Sequence, residues 1–314
     1  MNNQLWQLLS LFLHRSKLSK YGQSHRLAQG EQKSRPWALV TGASDGLGVA
    51  WAQELAVEGI NVILHGRNQS KLDGIKKELE TGFGICVRTL VFDAELMPTS
   101  LEAGAYEEFD KMINGVVEDI PLTILINNIG YLGRWISYAD RDPLWLDRQL
   151  NMNIRFMNQL TRVLIPHLHK NEPSLLITVS SGADNVPMPW SATYSGQKGY
   201  TSSFTRTLKY ELMLDKMDIE VICMSFGMIC TPSTGRTDAD ATWAEPTART
   251  CARAALNAIG CGYAYVFPYW GHALQGAIAL LIPVNMRDKL MANMLAQQRN
   301  KMDAVWAAKD AKDI

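Results

Sequence analysis

The sequence predicts an α/β protein, a doubly wound single domain in which a mostly seven-stranded parallel sheet has helices on both faces. Short apolar runs such as 37–40 and 122–126 are continuous rather than alternating, which is typical of strands buried on both faces. Segments with helical periodicity separate these runs, and parallel strands need such crossovers. The chain has 314 residues, 47% of them hydrophobic, so it can build a sizeable core.

The elements follow from this alternation in chain order. The predicted strands are 37–40, 61–64, 85–91, 122–126, 175–179, 219–225 and 263–267. Glycine, proline and capping residues place the helices at 47–57, from Ser70 as the cap to Leu79, at 106–117, at 144–168 and from Tyr194 to about Leu214.

The ends of the chain extend beyond this domain. We predict an N-terminal extension over 1–35, a catalytic domain over 36–270 and a C-terminal helical extension over 271–314. The apolar run 5–13 is too short to span a bilayer, which needs about 20 residues. It is either an interfacial membrane anchor or a helix docked on the protein's own surface. The apolar segment 269–282 is also too short, and a lid, a dimer contact and a shallow membrane contact all stay open.

Composition narrows the functional classes. The formal net charge is zero, which argues against a general nucleic-acid binder. The five cysteines form no C-x-x-C pair and are odd in number, which favours free thiols in a reducing compartment over disulfides or a metal site. The expected location is the cytoplasm or the periphery of an endoplasmic-reticulum-type membrane, and a homo-oligomer is a further option.

A glycine-rich turn separates the first strand from the first helix. It reads T-G-A-S-D-G-L-G over 41–48 and differs in spacing from the common G-x-G-x-x-G pattern. Glycines allow a tight turn and close backbone approach, and a helix N-terminus favours a pyrophosphate. The turn therefore predicts a dinucleotide site of the Rossmann type, with candidate cofactor-binding residues Gly42, Ser44, Gly46, Leu47 and Gly48.

The end of the second strand indicates which dinucleotide is bound. An NAD site needs an acidic side chain there, whereas this chain has L-H-G-R-N over 64–68. Arg67 suits the 2′-phosphate of NADP. Asp93, at the end of the third strand, is placed either to accept a hydrogen bond from the adenine amine or to cap the next segment.

The same turn allows a different enzyme class. Residues 42–46 also match G-x-S-x-G, the nucleophile turn of α/β-hydrolases, with Ser44 as the nucleophile. Only about 40 residues precede this turn, whereas a hydrolase needs several strands before it. His272 is the one plausible late general base.

Tyr194 and Lys198 form the pair best suited to proton transfer. Four-residue spacing places both side chains on one face of a helix. A nearby ammonium favours the phenolate, so we expect Lys198 to lower the pKa of Tyr194 from its usual value near 10.

Further motifs follow in a fixed order: Asn127-Asn128 after the fourth strand, Asn153 in the long helix, and Ser181 thirteen residues before Tyr194. Together with the glycine turn, they resemble the short-chain dehydrogenase/reductase family over about residues 36–270. The chain is most similar to the branch of very-long-chain 3-oxoacyl-CoA reductases and some 17β-hydroxysteroid dehydrogenases.

The resemblance implies a role for each matching position. Tyr194 matches the general acid/base, Lys198 the residue that lowers its pKa and binds the nicotinamide ribose, and Ser181 the hydroxyl that holds the substrate carbonyl oxygen. Asn153 matches the residue that orders a water relay to the lysine. The other implied cofactor contacts are the glycine turn, Asn127 and Asn128 near the adenosine ribose, and Ile229 and Thr231 near the carboxamide. One departure is Phe226-Gly227 where the family usually has Pro-Gly.

The implied activity is NADP-dependent reduction of a ketone, or oxidation of the secondary alcohol. Aromatic residues in the loops beyond the strands, including Trp135 and Trp190, indicate a bulky apolar substrate such as a secondary metabolite, a steroid or a 3-oxoacyl chain. The alternatives are a non-catalytic NADP-binding scaffold and the hydrolase. The sequence does not select among the substrates.

Overall fold

The centre of the molecule is a seven-stranded parallel sheet, as predicted. The computed structural model describes residues 10, 11, 13–22, 35–98 and 104–310, with the backbone alone over 300–310. The strands are β1 Trp37–Val40, β2 Asn61–Gly66, β3 Val87–Val91, β4 Leu122–Asn127, β5 Ser174–Ser181, β6 Ile219–Phe226 and β7 Tyr265–Val266. They are ordered β3-β2-β1-β4-β5-β6-β7, and every pairing is parallel.

Helices cover both faces of the sheet. They are α1 Gly46–Val57, α2 Gln69–Phe83, α3 Ala105–Val117, α4 Pro143–Leu150, α5 Phe156–Lys170, α6 Ala192–Leu214, α7 Ala248–Ala258, α8 Trp270–Leu281 and α9 Val284–Asp310. The predicted helix 144–168 is two helices, because a π-helical turn separates α4 from α5. The prediction that Ser70 caps α2 was wrong: the side chain of Asn68 accepts a hydrogen bond from the backbone N–H of Lys71.

Alternate residues of the central strands form the two halves of the core. Leu39, Ile63 and Leu125 lie side by side on the face covered by α3, α5 and α6. Val40 and Ile126 lie on the opposite face, against α1, α2 and α7. Since successive side chains of a strand point to opposite faces, these buried strands are apolar without interruption.

The strand order reverses between β1 and β4, in the middle of the sheet. Open α/β sheets bind ligands in the crevice at such a point, beyond the carboxyl ends of the strands. The glycine turn follows β1 and Asn128 follows β4. The topology thus places the two predicted cofactor motifs at the same edge of the sheet.

The described part of the N-terminal extension packs on the domain itself. The backbone N–H of Lys17 donates to the carbonyl of Ile259 (3.0 Å), and Ser16 Oγ donates to the carbonyl of Leu256 (2.6 Å). Lys20 forms an ion pair with Asp218 (2.9 Å). Most of the apolar run 5–13 lies outside the described residues. Within the described part of the chain, no helix combines the length and the apolar character needed to cross a membrane.

Candidate active site

Three predicted catalytic side chains meet where β5 ends and α6 begins. Lys198 Nζ lies 5.6 Å from the centroid of the Tyr194 ring. Ser181 is the last residue of β5, and its hydroxyl acts to lower the pKa of the Tyr194 phenol. Its Oγ also accepts a hydrogen bond from the backbone N–H of Ala183 (3.3 Å). The structure therefore brings the phenol, the ammonium and the hydroxyl together as the spacing of the motifs requires.

Lys198 is a buried cation with a specific anchor. Its Nζ donates to the carbonyl of Val179 (2.8 Å). Burial lowers the pKa of this ammonium to about 8, although the charge of Asp184 acts in the opposite direction. A Cβ at Gly130 would lie 3.1 Å from Nζ, so Gly130 leaves the space that the ammonium needs.

The protonation of Tyr194 differs from the expectation. Burial raises its pKa to about 12; the hydrogen bond with Ser181 acts against this rise, and the carboxylate of Asp184 adds to it. In this structure the cost of burying a phenolate therefore outweighs the lowering of the pKa by Ser181. Tyr194 is a neutral phenol, poised as a proton donor.

Asn153 lies in the π-helical turn Asn151–Arg155, between α4 and α5. Its Nδ2 donates to the side-chain oxygens of Gln149 (3.0 Å) and Gln197 (2.6 Å), and its Oδ1 accepts from the backbone N–H of Tyr131 (3.2 Å). These bonds connect the loop after β4 to the helix of Lys198. Single π turns inside helices are frequent at functional sites.

The glycine turn forms a backbone cradle at the N-terminus of α1. Gly42 and Gly46 have φ values of 65° and 52°, which L-residues with side chains adopt at a cost. A side chain at Gly48 would overlap the carbonyl oxygen of Gly42. Asp45 caps the helix by accepting from the N–H of Gly46 (2.7 Å), and Leu47 packs against the core.

Hydrogen bonds join this turn to the end of β4. Thr41 Oγ1 accepts from the backbone N–H groups of Asn128 (2.8 Å) and Ile129 (3.0 Å). Asn128 Nδ2 donates to the carbonyl of Thr41 (2.9 Å), while Asn127 Nδ2 donates to Thr161 (2.9 Å). His65, which sequence reasoning missed, accepts from the N–H of Gly42 through Nδ1 (3.3 Å).

The loop after β6 reaches the same turn. A Cβ at Gly46 would lie 3.2 Å from the methyl group of Thr231, so the Thr231 side chain packs directly against the glycine turn. Ile229 and Thr231 are nearly buried. Phe226 is buried and makes an edge contact with the ring of His272, at 6.4 Å between centroids. The packing of His272 thus supports Phe226-Gly227, the position at which the family usually has Pro-Gly.

Arg67 directly follows β2 and is exposed, but its guanidinium is paired with carboxylates. Its Nη1 lies 3.1 Å from a carboxylate oxygen of Glu95 and 3.9 Å from one of Asp93. Asp93 also accepts a hydrogen bond from the backbone N–H of Glu95 (3.0 Å) and so caps the following 3₁₀ turn. Glu95 is a second residue that the sequence did not reveal.

The geometry does not support the hydrolase interpretation. Ser44 lies against Gly66, at the end of β2. His272 packs on Gly227, just beyond β6, and its Nε2 lies 3.1 Å from the carbonyl oxygen of Met228. Four strand spacings separate β2 from β6, or about 19 Å. A nucleophile and its base must lie within hydrogen-bond reach.

Two tryptophans lie together in the loops around the site. Trp135 is buried and stacks on Trp190, with 6.4 Å between ring centroids. Trp190 has a φ of 64°, which is a rare value for a bulky residue. Arg141 Nη2 donates to its carbonyl (2.6 Å), and the guanidinium of Arg299 lies 4.7 Å from its ring centroid. Backbone strain of this kind occurs mainly at functional sites.

Comparisons with known proteins agree with this geometry. The very-long-chain 3-oxoacyl-CoA reductase of Pyricularia oryzae is 33% identical over 280 residues, covering 85% of this chain and 76% of the relative. The inactive hydroxysteroid dehydrogenase-like protein 1 of Homo sapiens is 26% identical, covering 79% and 72%. A short-chain dehydrogenase from Sphingobium yanoikuyae in complex with NADPH has a similar structure, with a TM-score of 0.63, 20% identity and coverage of 78% and 94%.

A family profile described as short chain dehydrogenase matches residues 36–242. That match includes the glycine turn, Ser181, Tyr194 and Lys198. The chain therefore belongs to the short-chain dehydrogenase family, whose members are oxidoreductases that act on CH–OH groups.

Proposed function

We propose that the protein is an NADPH-dependent oxidoreductase that reduces a ketone, or oxidises the secondary alcohol, on a bulky apolar substrate. The convergence of Tyr194, Ser181 and Lys198 supports this activity. A 3-oxoacyl chain, a steroid and a secondary metabolite all fit the description. The first is favoured by the name of the relative from Pyricularia oryzae.

The backbone cradle fits a dinucleotide. The absence of side chains at Gly42, Gly46 and Gly48 leaves the N-terminus of α1 open to a pyrophosphate. Arg67 would meet a 2′-phosphate, and Asp93, Asn127, Asn128, Ile229 and Thr231 would complete the site. The structural neighbour with bound NADPH supports the same choice. When bound, NADPH supplies the hydride for the carbonyl carbon.

The protonation states of the site residues suit ketone reduction. Reduction of a carbonyl leaves negative charge on its oxygen, which needs a donor at once. Tyr194 is neutral and can donate its proton there, while the hydroxyl of Ser181 can hold the oxygen by a hydrogen bond. Lys198 keeps its charge at neutral pH, because its pKa of about 8 lies above it.

Two associations are part of the proposal. Exposed apolar side chains on α8 and at the start of α9, such as Leu281 (68% exposed) and Val284 (60%), support either peripheral membrane contact or a homo-oligomer. Vesicle flotation and sedimentation measurements would distinguish the two.

The Tyr194→Phe variant tests the proposed chemistry. It keeps the ring and loses the proton, so we expect kcat to fall by at least about 100-fold, the usual contribution of a general acid. NADPH binding should be nearly unchanged. The measurement is NADPH oxidation with a panel of apolar ketones and 3-oxoacyl-CoA thioesters, alongside NADPH fluorescence titration.

Tyr210→Phe is the matched control, because Tyr210 lies exposed on the same helix. Normal turnover by Tyr194→Phe would disprove the proposed role. A parent protein that binds NADPH without turning over any ketone would instead support the scaffold alternative, which the inactive human relative favours.

A further inference from the structure

His65, near the end of β2, contacts the glycine turn with both its side chain and its backbone. Its Nδ1 accepts a hydrogen bond from the backbone N–H of Gly42 (3.3 Å). Its carbonyl oxygen accepts from the backbone N–H of the next residue, Ala43 (2.8 Å). One residue of the neighbouring strand therefore fixes two successive N–H groups at the start of the turn.

The peptide group between Thr41 and Gly42 is held at both ends. Its carbonyl oxygen accepts from Asn128 Nδ2 (2.9 Å), and its N–H donates to His65 (3.3 Å). Since β2 and β4 lie on either side of β1 in the sheet, the two side chains reach this peptide from opposite directions. The orientation of the peptide sets the φ of 65° at Gly42. The two hydrogen bonds thus fix the conformation in which the glycine turn begins.

The imidazole of His65 can accept this hydrogen bond in only one protonation form. The ring is fully buried and stacks on Phe156, with 4.5 Å between centroids and 23° between planes. Burial lowers the pKa of the imidazole to about 4, so the ring is neutral at neutral pH. A neutral imidazole carries one proton, and an accepting Nδ1 leaves that proton on Nε2. The hydrogen bond with Gly42 therefore requires the Nε2–H tautomer.

We propose that His65 is a positioning residue of the cofactor site: its Nδ1 holds the N–H of Gly42 so that the glycine turn is preformed for the pyrophosphate of the dinucleotide. The proposal rests on the proposed function, in which this turn binds NADPH. A turn that already has the bound conformation does not have to be ordered when the cofactor binds, which increases affinity. Because NADPH and NADH share the pyrophosphate, His65 should affect both cofactors equally, unlike Arg67.

His65→Leu removes the acceptor and keeps an apolar side chain in the core. In the free variant the N–H of Gly42 loses its partner and the turn can relax toward water, so a binding cofactor has to reverse this change. We expect the Kd values of NADPH and NADH to rise together by about tenfold, the equivalent of one buried N–H without an acceptor. At saturating NADPH, kcat should stay close to that of the parent, because Tyr194 and Lys198 are unchanged. Fluorescence titration with both cofactors and steady-state kinetics with 3-oxohexadecanoyl-CoA measure the two effects.

Two further variants separate the hydrogen bond from packing. In His65→Asn the acceptor Oδ1 is bonded to Cγ, as Nδ1 is in histidine, so both Kd values should stay within about threefold of the parent. Ile63→Ala is the packing control, because Ile63 is fully buried in the same half of the core, two residues earlier on β2. It should lower stability in urea unfolding and leave both Kd values close to those of the parent.

The tautomer of His65 in the parent protein gives a second readout that depends on no variant. NMR of the full-length protein labelled with ¹⁵N at the histidine nitrogens should show His65 in the neutral Nε2–H form at neutral pH. Its signal is assigned by nuclear Overhauser contacts with the ring of Phe156, on which it stacks.

An Nδ1–H tautomer at His65 would overturn the proposal. Unchanged Kd values in His65→Leu, equal weakening in Ile63→Ala, or no better binding by His65→Asn than by His65→Leu would also overturn it. If the parent binds NADPH but reduces no ketone, the proposed function fails, while the Kd values and the tautomer still decide the role of His65.

Discussion

At the residue scale, the residues that follow β2 and β3 combine a cation that suits the 2′-phosphate of NADP with two carboxylates that would repel this phosphate. Arg67 is 66% exposed and pairs with Glu95 and Asp93. A 2′-phosphate would have to share the guanidinium with Glu95, which reduces the net gain. Without Arg67, both carboxylates would face the phosphate directly. The choice of cofactor therefore depends on the balance between Arg67 and Glu95.

Arg67→Ala should weaken NADPH binding more than NADH binding. The difference should be about 1.5 kcal/mol, the lower end for a charge-assisted hydrogen bond, because the side chain is exposed. This corresponds to about tenfold in Kd. Fluorescence titration with both cofactors measures it.

Glu95→Gln is the complementary variant, since it keeps the shape and removes the competing charge. It should strengthen NADPH binding and leave NADH binding close to that of the parent. Equal weakening of both cofactors by Arg67→Ala would show that Arg67 does not recognise the 2′-phosphate.

The sequence indicated which side chains meet at the site but not their protonation. Tyr194 and Lys198 are four residues apart on one helix, so their proximity follows from helical periodicity. The pKa of Tyr194 depends on burial by residues far away in the chain, and its direction was predicted wrongly. Asp184 escaped notice because its partner Tyr265 is 81 residues away and reaches it only through the strand order.

At the element scale, the sheet was predictable because continuous apolar runs identify buried parallel strands. The boundaries of the strands and helices differ from the predicted ones where tertiary contacts determine them. The predicted strand 263–267 pairs only over Tyr265–Val266, at the edge of the sheet beside β6. The π-helical turn at Asn153 interrupts a stretch that is periodic in sequence. The Asn153 side chain bonds to Gln197 and Tyr131 as well as to Gln149 of α4.

The C-terminal helix α9 contacts the loop of Trp190 through Arg299. Arg299 lies over the face of Trp190, which in turn stacks on the buried Trp135. A cation over an aromatic face contributes about 0.5–1 kcal/mol when exposed, and more when desolvated. This contact reaches the Trp190 ring from outside the domain that the sequence predicted to be catalytic.

Arg299→Ala should raise the KM for large apolar ketones by about two- to fivefold, corresponding to the loss of one cation–π contact. The KM for a small ketone should change little, because only a large substrate would reach Trp190. Steady-state kinetics with ketones of increasing size measures this effect. Lys289→Ala, an exposed cation on the same helix, is the control. Equal changes for all ketone sizes would contradict a role in substrate recognition.

At the scale of the whole molecule, two fully buried histidines connect stability to pH. His65 lies within β2 and stacks on Phe156 at 4.5 Å, while His272 packs against Phe226 and Gly227. Burial lowers the pKa of each imidazole to about 4. Both are therefore neutral in the folded protein and gain a proton on unfolding below about pH 6.5.

The sign of the effect follows from this difference. A depressed folded pKa gives stability that is fully present above pH 6.5 and is lost as the pH falls toward 4, because the unfolded chain binds more protons. The free energy of unfolding should decrease through this range by up to about 3 kcal/mol for each histidine. His272→Gln should remove one of the two contributions, so the difference between the free energies at pH 7 and pH 4.5 becomes smaller. Urea unfolding at both pH values measures this difference.

The control is Leu256→Ala, a nearly buried site without a titratable group, which should lower stability by the same amount at both pH values. An unchanged pH dependence in His272→Gln would show that this imidazole does not contribute to acid unfolding.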